Sequence, residues 1–183
     1  MRTILALSFF LTIAGIGLAC TGAATGGGSS PTEAYKQLYA AVKAKDIEGI
    51  KRSFSKQTNE LAAMAAGRQN SPVEKVYENG FTATTFAESL PPIRDERIQG
   101  DMGAVEVWNS KESKWEDLPF VKEDGSWKLA VGEMFGGTYK SPGKGRDMIE
   151  KEAANAVANT TVITSNANSN SAPVGRGPDK NAK

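Results

Sequence analysis

Catalysis needs side chains that can accept or donate protons, attack a bond or hold a metal. This 183-residue chain offers a narrow set of them: no histidine and a single cysteine, Cys20. Without imidazole, histidine-based nucleophile activation is closed to it, and so is the commonest transition-metal ligand. Cys20 lies at the end of an apolar leader, so the body of the chain has no thiol nucleophile, and one cysteine cannot close an internal disulfide. Gly26-Gly27-Gly28 lacks the Lys-Ser/Thr of a phosphate loop, and Gly143-Lys144-Gly145-Arg146 is too short for one. Carboxylates and aromatic residues remain. Asp95, Glu96, Asp101 and Glu106 lie on or near predicted strands, and a carboxylate desolvated in a cavity could act as a base. With Arg94 and Arg97 as neighbours, the expected environment is instead a solvated strand face, where exposed pairs contribute little. Tyr35 and Tyr39 could line a cavity with their hydroxyls, or serve as core aromatics with a wet tip. Trp108 could complete a ligand-binding wall, form part of a contact patch, or cover a helix.

Two kinds of element must position these residues. Ser30-Pro31-Thr32-Glu33 combines an N-cap serine, proline at the first helical position and the glutamate of a capping box. Ala34, Leu38, Ala41 and Val42 follow at helical spacing, with Tyr35 and Tyr39 beside them. Asp46 caps a second short helix carrying Ile47, Ile50 and Phe54. A third helix is expected from Asn59 to Arg68, and a fourth from the capping signature Ser71-Pro72-Val73-Glu74 to a stop at Gly80. The period then changes to two. Val105 and Val107 alternate with Ala104, Glu106 and Trp108. Leu118 and Phe120 form a second alternating set, and Trp127, Leu129 and Val131 a third. Asp124-Gly125 is a tight-hairpin signal, and a less regular strand is expected around Ile93 to Ile98. Helices followed by an antiparallel meander predict an α+β domain, with N-terminal helices packed on one face of a curved sheet.

The flanks have a different composition. Arg2 precedes an uncharged run from Ile4 to Ala19 that is shorter than a membrane span, the pattern of a secretory signal peptide. Residues 20–29 read as a Gly/Ser-type tether, residues 30–143 as the domain, and 144–158 as a further helix from Arg146 to Ala158 with a weak apolar stripe. Residues 159–183, rich in Asn, Ser and Ala and without aromatics, are expected to be disordered. Removing residues 1–19 takes away Arg2 and no acid, so the basic count falls from 22 to 21 against 21 acidic residues. That balance, with no basic run, argues against nucleic-acid binding.

Ile16-Gly17-Leu18-Ala19-Cys20 resembles the lipobox of bacterial lipoproteins, with Leu18 one place nearer the cysteine than the usual leucine. The resemblance implies cleavage before Cys20, a diacylglycerol thioether on its sulfur and anchoring to the cell envelope. Thr21, where an aspartate would retain the protein at an inner membrane, implies an outer membrane in an organism that has two. Buried acyl chains contribute about 0.8 kcal/mol per CH₂, so two or more make a stable anchor.

The first helix, Pro31 to Asp46, together with Glu123-Asp124-Gly125-Ser126-Trp127-Lys128-Leu129, resembles the nuclear-transport-factor-2-like superfamily, over about Pro31 to Met134. The resemblance implies a cone: a bent sheet around helices, with a cavity at the wide end. Tyr35, Tyr39 and Trp108 are the residues expected at such a cavity. Members include isomerases and dehydratases as well as non-catalytic binders, and fold alone does not choose. The expectation is a tethered envelope domain that binds a protein partner or a small apolar ligand without catalysis, cofactor or metal. The alternative is an isomerase- or hydratase-like enzyme using a buried carboxylate and a tyrosine. A cone filled by Leu118, Phe120, Trp127 and Leu129 would count against that alternative.

Overall fold

The computed structural model describes residues 27–78 and 80–167. Four helices come first: α1 (Pro31–Ala44), α2 (Ile47–Arg52), α3 (Lys56–Gln69) and α4 (Val73–Tyr77). A 3-10 turn at Ala83–Phe86 leads into β1 (Ile93–Gln99), β2 (Met102–Asn109), β3 (Lys114–Glu123) and β4 (Ser126–Leu129). A short α5 (Val131–Phe135) and a long α6 (Arg146–Ala167) follow. The strands form an open antiparallel sheet in the order β1-β2-β3-β4. The fold is therefore mixed helix and sheet, and among the described residues no helix is long and apolar enough to cross a membrane.

Local chemistry accounts for most element boundaries. Ser30 caps α1 by accepting from the Glu33 amide, and Asp46 caps α2 by accepting from the Gly49 amide. Val105 pairs with Leu118, and Phe120 lies between Gly103 and Leu129. Their side chains share one sheet face, because directly paired residues project to the same side. That face packs against Tyr35 and Leu38 of α1, with Ile50 and Phe54, in a single core cluster that also holds Leu118, Trp127 and Leu129.

Several boundaries differ from expectation. Helix α3 begins at Lys56 because Ser55, buried, accepts from the Thr58 amide as its N-cap. Helix α4 begins after Pro72 with no side-chain cap, while the Ser71 hydroxyl turns to the Pro72 carbonyl. Val131, expected on the last strand, is the first residue of α5. The strand ends at Leu129, and the Ala130 amide bonds to the Pro119 carbonyl. The tether reading of residues 20–29 reaches too far. Gly28 exchanges two backbone hydrogen bonds with Trp127, and a Cβ at Gly28 would lie 2.1 Å from the Ala34 nitrogen, so only glycine fits there. Helix α6 runs to Ala167, past the expected limit at Ala158, in a stretch free of helix-breaking Gly or Pro. The remainder of the expected disordered tail, residues 168–183, lies outside the described residues, as do the leader and Cys20.

Candidate functional site

The three expected cavity residues do not converge. Tyr35 is fully buried in the core, and its hydroxyl lies close to Thr84 without a well-formed hydrogen bond. Burial pushes this phenol up to about 12; Thr84 pulls slightly the other way, and Tyr39 and Glu116 add to the rise. Tyr39 is half-buried and donates its hydroxyl to the Ala87 carbonyl at 3.0 Å. Trp108 sits across the sheet, half-buried, with its ring edge-on to Trp115 at 5.3 Å. Sequence alternation placed Trp108 opposite Val105 and Val107 correctly, and that same alternation separates it from the tyrosines.

Instead, the α1 tyrosines support a ledge built by residues 80–87. Gly80 and Phe81 both have left-handed backbone, at φ 55° and 53°. The Phe81 ring stands edge-on to Phe54 at 5.5 Å, which ties the turn to the core. The Thr82 hydroxyl accepts from the Thr84 amide and pairs with the Thr84 hydroxyl at 2.9 Å, while the Thr85 hydroxyl donates to the Thr82 carbonyl. The Tyr39 hydroxyl fixes Ala87, and the Lys43 ammonium, 5.2 Å above the Tyr39 ring, donates to the Phe86 carbonyl. Phe86 itself is held out at 55% exposure. An open groove of about 510 Å³ lies on one side, between Phe81, Phe86, Ala87 and Lys111. A second, of about 390 Å³, lies on the other, between Val42, Lys43, Lys45, Thr85 and Phe86. A rigid turn presenting an aromatic side chain between two grooves has the form of a contact site.

The opposite sheet face carries the carboxylates. A bulge between Ile93 and Asp95 adds Arg94 to the edge strand. The Arg94 guanidinium donates to Glu106, lies 3.1 Å from Glu150 and 3.7 Å from Asp147, and stacks 4.2 Å from the Trp115 ring. Glu106 is 2% exposed and also accepts from the Asp147 amide, so it caps α6. Arg97 bridges Asp117 and Asp95. Burial raises the Asp117 carboxyl above its ordinary value, against the downward pull of Arg97. Tyr139 reaches over this face to donate to the Gly103 carbonyl at 2.7 Å; burial, aided by Asp117, pushes its phenol up to about 12. The chain crosses at Gly145, where a Cβ would lie 2.8 Å from both Arg97 Nη1 and Glu106 Oε1. The expectation of a solvated strand face is thus overturned at Glu106. Its neighbours differ: Glu96 is exposed at the α1 N-terminus, accepting from the Thr32 amide and the Ser30 hydroxyl. Asp101 is exposed in a turn.

Asp117, paired with Arg97, lines another groove of about 320 Å³ with Tyr139 and Leu118, on the sheet face away from the α1 tyrosines. Glu106 is engaged on both oxygens. Ser55 and Glu133 make the arrangement nearest to a nucleophile and base, at 2.7 Å, but Ser55 is fully buried as the α3 cap and Thr58 shares the same network. Among the described residues, no group of three or more acidic, cysteine or histidine side chains is placed to hold a metal. Sequence reasoning missed the ledge, because its residues fall in a segment without periodicity; the adjoining Gly80 was its one signal, and it was read as a helix stop. Comparison of the chain with protein-family models, curated proteins and solved structures finds no match.

Proposed function

We propose that this chain is a lipid-anchored envelope protein with a nuclear-transport-factor-2-like domain that binds a protein partner through the Phe86 ledge, without catalysis. One observation carries the non-catalytic part of this reading. Leu118, Phe120, Trp127 and Leu129 pack into one core with Tyr35, Leu38 and Phe54, a filling that counts against a substrate cavity among these residues. Phe86 is one of several exposed apolar side chains, and it stands between two grooves. The superfamily reading is supported by helices laid on one face of an antiparallel meander and by left-handed Asp124-Gly125 joining β3 to β4. The anchor reading is supported by the apolar leader and the sole cysteine at its end.

The test joins intact mass with localisation. The mature protein should begin at Cys20, carry acyl mass and sediment with membranes, and Cys20→Ala should abolish all three. A soluble protein that retains residues 1–19 and carries no lipid would end the anchor reading. Crosslinking of the membrane-attached protein should then map partner contacts to residues 81–87 and 111, and contacts confined to other surfaces would end the ledge reading.

A further inference from the structure

The ledge and the tether attachment lie at opposite poles of the sheet. The β1–β2 and β3–β4 turns share one end, where the Lys122 amide bonds to the Asp101 carbonyl. Gly27 lies against Ser126 and Trp127 at that same end. The β2–β3 turn, with Ser110 and Lys111 lining the larger groove, lies at the other end. Strand rise over β2 separates the two ends by roughly 23 Å. Helix α1 runs the same way, from Pro31 beside Gly103 to Tyr39 and Lys43 beneath the ledge. The chain from Cys20 to Gly27 can span at most about 25 Å, so an acylated Cys20 keeps the Gly27 pole near the bilayer.

Lysines outnumber carboxylates in the groove linings, while the exposed Glu88 and Glu112, the latter attracted by Lys111, adjoin them. Among the described residues, Lys43, Lys45 and Lys111 line the two grooves, with Glu78 as the one lining carboxylate. Among the described residues, none of the three lysines is in an ion pair with a carboxylate. Lys45 holds its place at φ 55°, the left-handed C-cap position that glycine fills most easily. Its neighbour across the groove wall, Phe86, supplies the apolar anchor. Both grooves open to solvent, a shape suited to an extended segment laid across a ridge rather than to an enclosed acyl chain.

We propose that the Phe86 ledge docks an acidic segment of another envelope protein, with an apolar side chain seated beside Phe86 and carboxylates facing Lys43, Lys45 and Lys111, at the pole away from the anchoring membrane. Its orientation relative to the membrane rests on the anchor reading above; its chemistry does not.

The test uses the full chain, acylated or as Cys20→Ala, with fluorescein-labelled peptide pools that place Phe or Leu between acidic, neutral or basic flanks. Acidic-flanked peptides should bind selectively. Phe86→Ser should weaken them by about tenfold or more, as loss of a central aromatic anchor does. Lys43→Gln with Lys111→Gln should weaken them several-fold, and raised salt should do the same. Ile98→Ser, an exposed apolar residue at the other pole, should have no effect, and circular dichroism reports whether each variant folds. Equal binding of basic or neutral pools, binding insensitive to Phe86→Ser in a folded variant, or no binding to any pool overturns the proposal. Phe86-dependent binding to phosphatidylglycerol vesicles in place of peptides also overturns it, in favour of a lipid surface.

The pole is tested separately with a photoreactive residue in the acylated protein. One placed at Asp101 should label lipid and one at Glu88 protein, and lipid labelling at Glu88 overturns the orientation. Absence of acylation ends the anchor reading, while peptide binding by Cys20→Ala still decides the ledge.

Discussion

Along β2, Val105 and Val107 point into a cluster of aromatic and aliphatic side chains under α1, while Ala104 and Glu106, one residue over, lie beneath a strap of chain leading into α6. Both sets are nearly inaccessible to water. The inner set is there because removing apolar surface from water is favourable by roughly 25 cal/mol per Å². Glu106 is there with Arg94 as its ion-pair partner, which also reaches the carboxylates of Asp147 and Glu150, although Arg94 Nη2 is buried without a hydrogen bond. Buried ion pairs of this kind add little net stability over an apolar replacement, but losing one partner is costly. The inner face thus stabilises the fold, and the outer face fixes where the C-terminal helix starts.

The largest expected effect lies on the inner face. Phe120→Ala removes a fully buried ring from the sheet centre. It should cost about 4 kcal/mol by the usual penalty for truncating a core aromatic, read from urea denaturation. A loss under about 1 kcal/mol would show that this face can collapse around the gap and is not the tightly packed one. Next comes the outer face. Glu106→Gln leaves Arg94 without its buried partner and weakens the α6 cap, and should cost about 3 kcal/mol. Replacing the pair together, Arg94→Met with Glu106→Leu, should cost less than Glu106→Gln alone. Hydrogen exchange at the first turn of α6 should rise in both, because both remove the carboxylate that receives the Asp147 amide. If the double variant proves the worse of the two, the ion cluster is contributing net stability and the contrast between the faces fails.

This contrast also explains what could be read from sequence. The period-two alternation of Val105, Val107, Leu118, Phe120, Trp127 and Leu129 shows the inner face, since each residue's burial is announced by its own type. The caps of α1 and α2 are legible because Ser30 and Asp46 sit three residues from the amides they accept from. Glu106 is different. Its burial depends on an amide 41 positions away, brought over by the crossing at Gly145, and no local pattern carries that information. Val131 misled for the opposite reason: it keeps the alternation and the burial of a strand residue, but the backbone turns helical beneath it. The Phe86 ledge rests on a hydroxyl network and a tyrosine–carbonyl bond between α1 and a non-periodic turn, contacts likewise set by tertiary packing.

The smallest effect tests whether a carboxylate at the edge of the sheet belongs to the outer face's ionic system or to the helices. Glu96 accepts from the Thr32 amide at 2.7 Å and from the Ser30 hydroxyl, at the positive end of α1. Burial works to raise its carboxyl, but the Thr32 and Ser30 donors and the Lys36 charge outweigh it, and the group lies below its ordinary value of 4.5. A carboxyl lowered in the folded state contributes stability above its unfolded pKa, and that contribution is lost as the pH falls through the lowered folded value. Because the side chain is exposed and screened, Glu96→Gln should cost only about 0.5 kcal/mol at neutral pH. The difference between wild type and variant should shrink toward zero as the pH drops below about 4.5, read from urea titrations across acid pH. A difference that grows on acidification would mean Glu96 is destabilised where it stands. The helix-capping role would then be wrong, and the line drawn between the two faces would have to move by one strand residue.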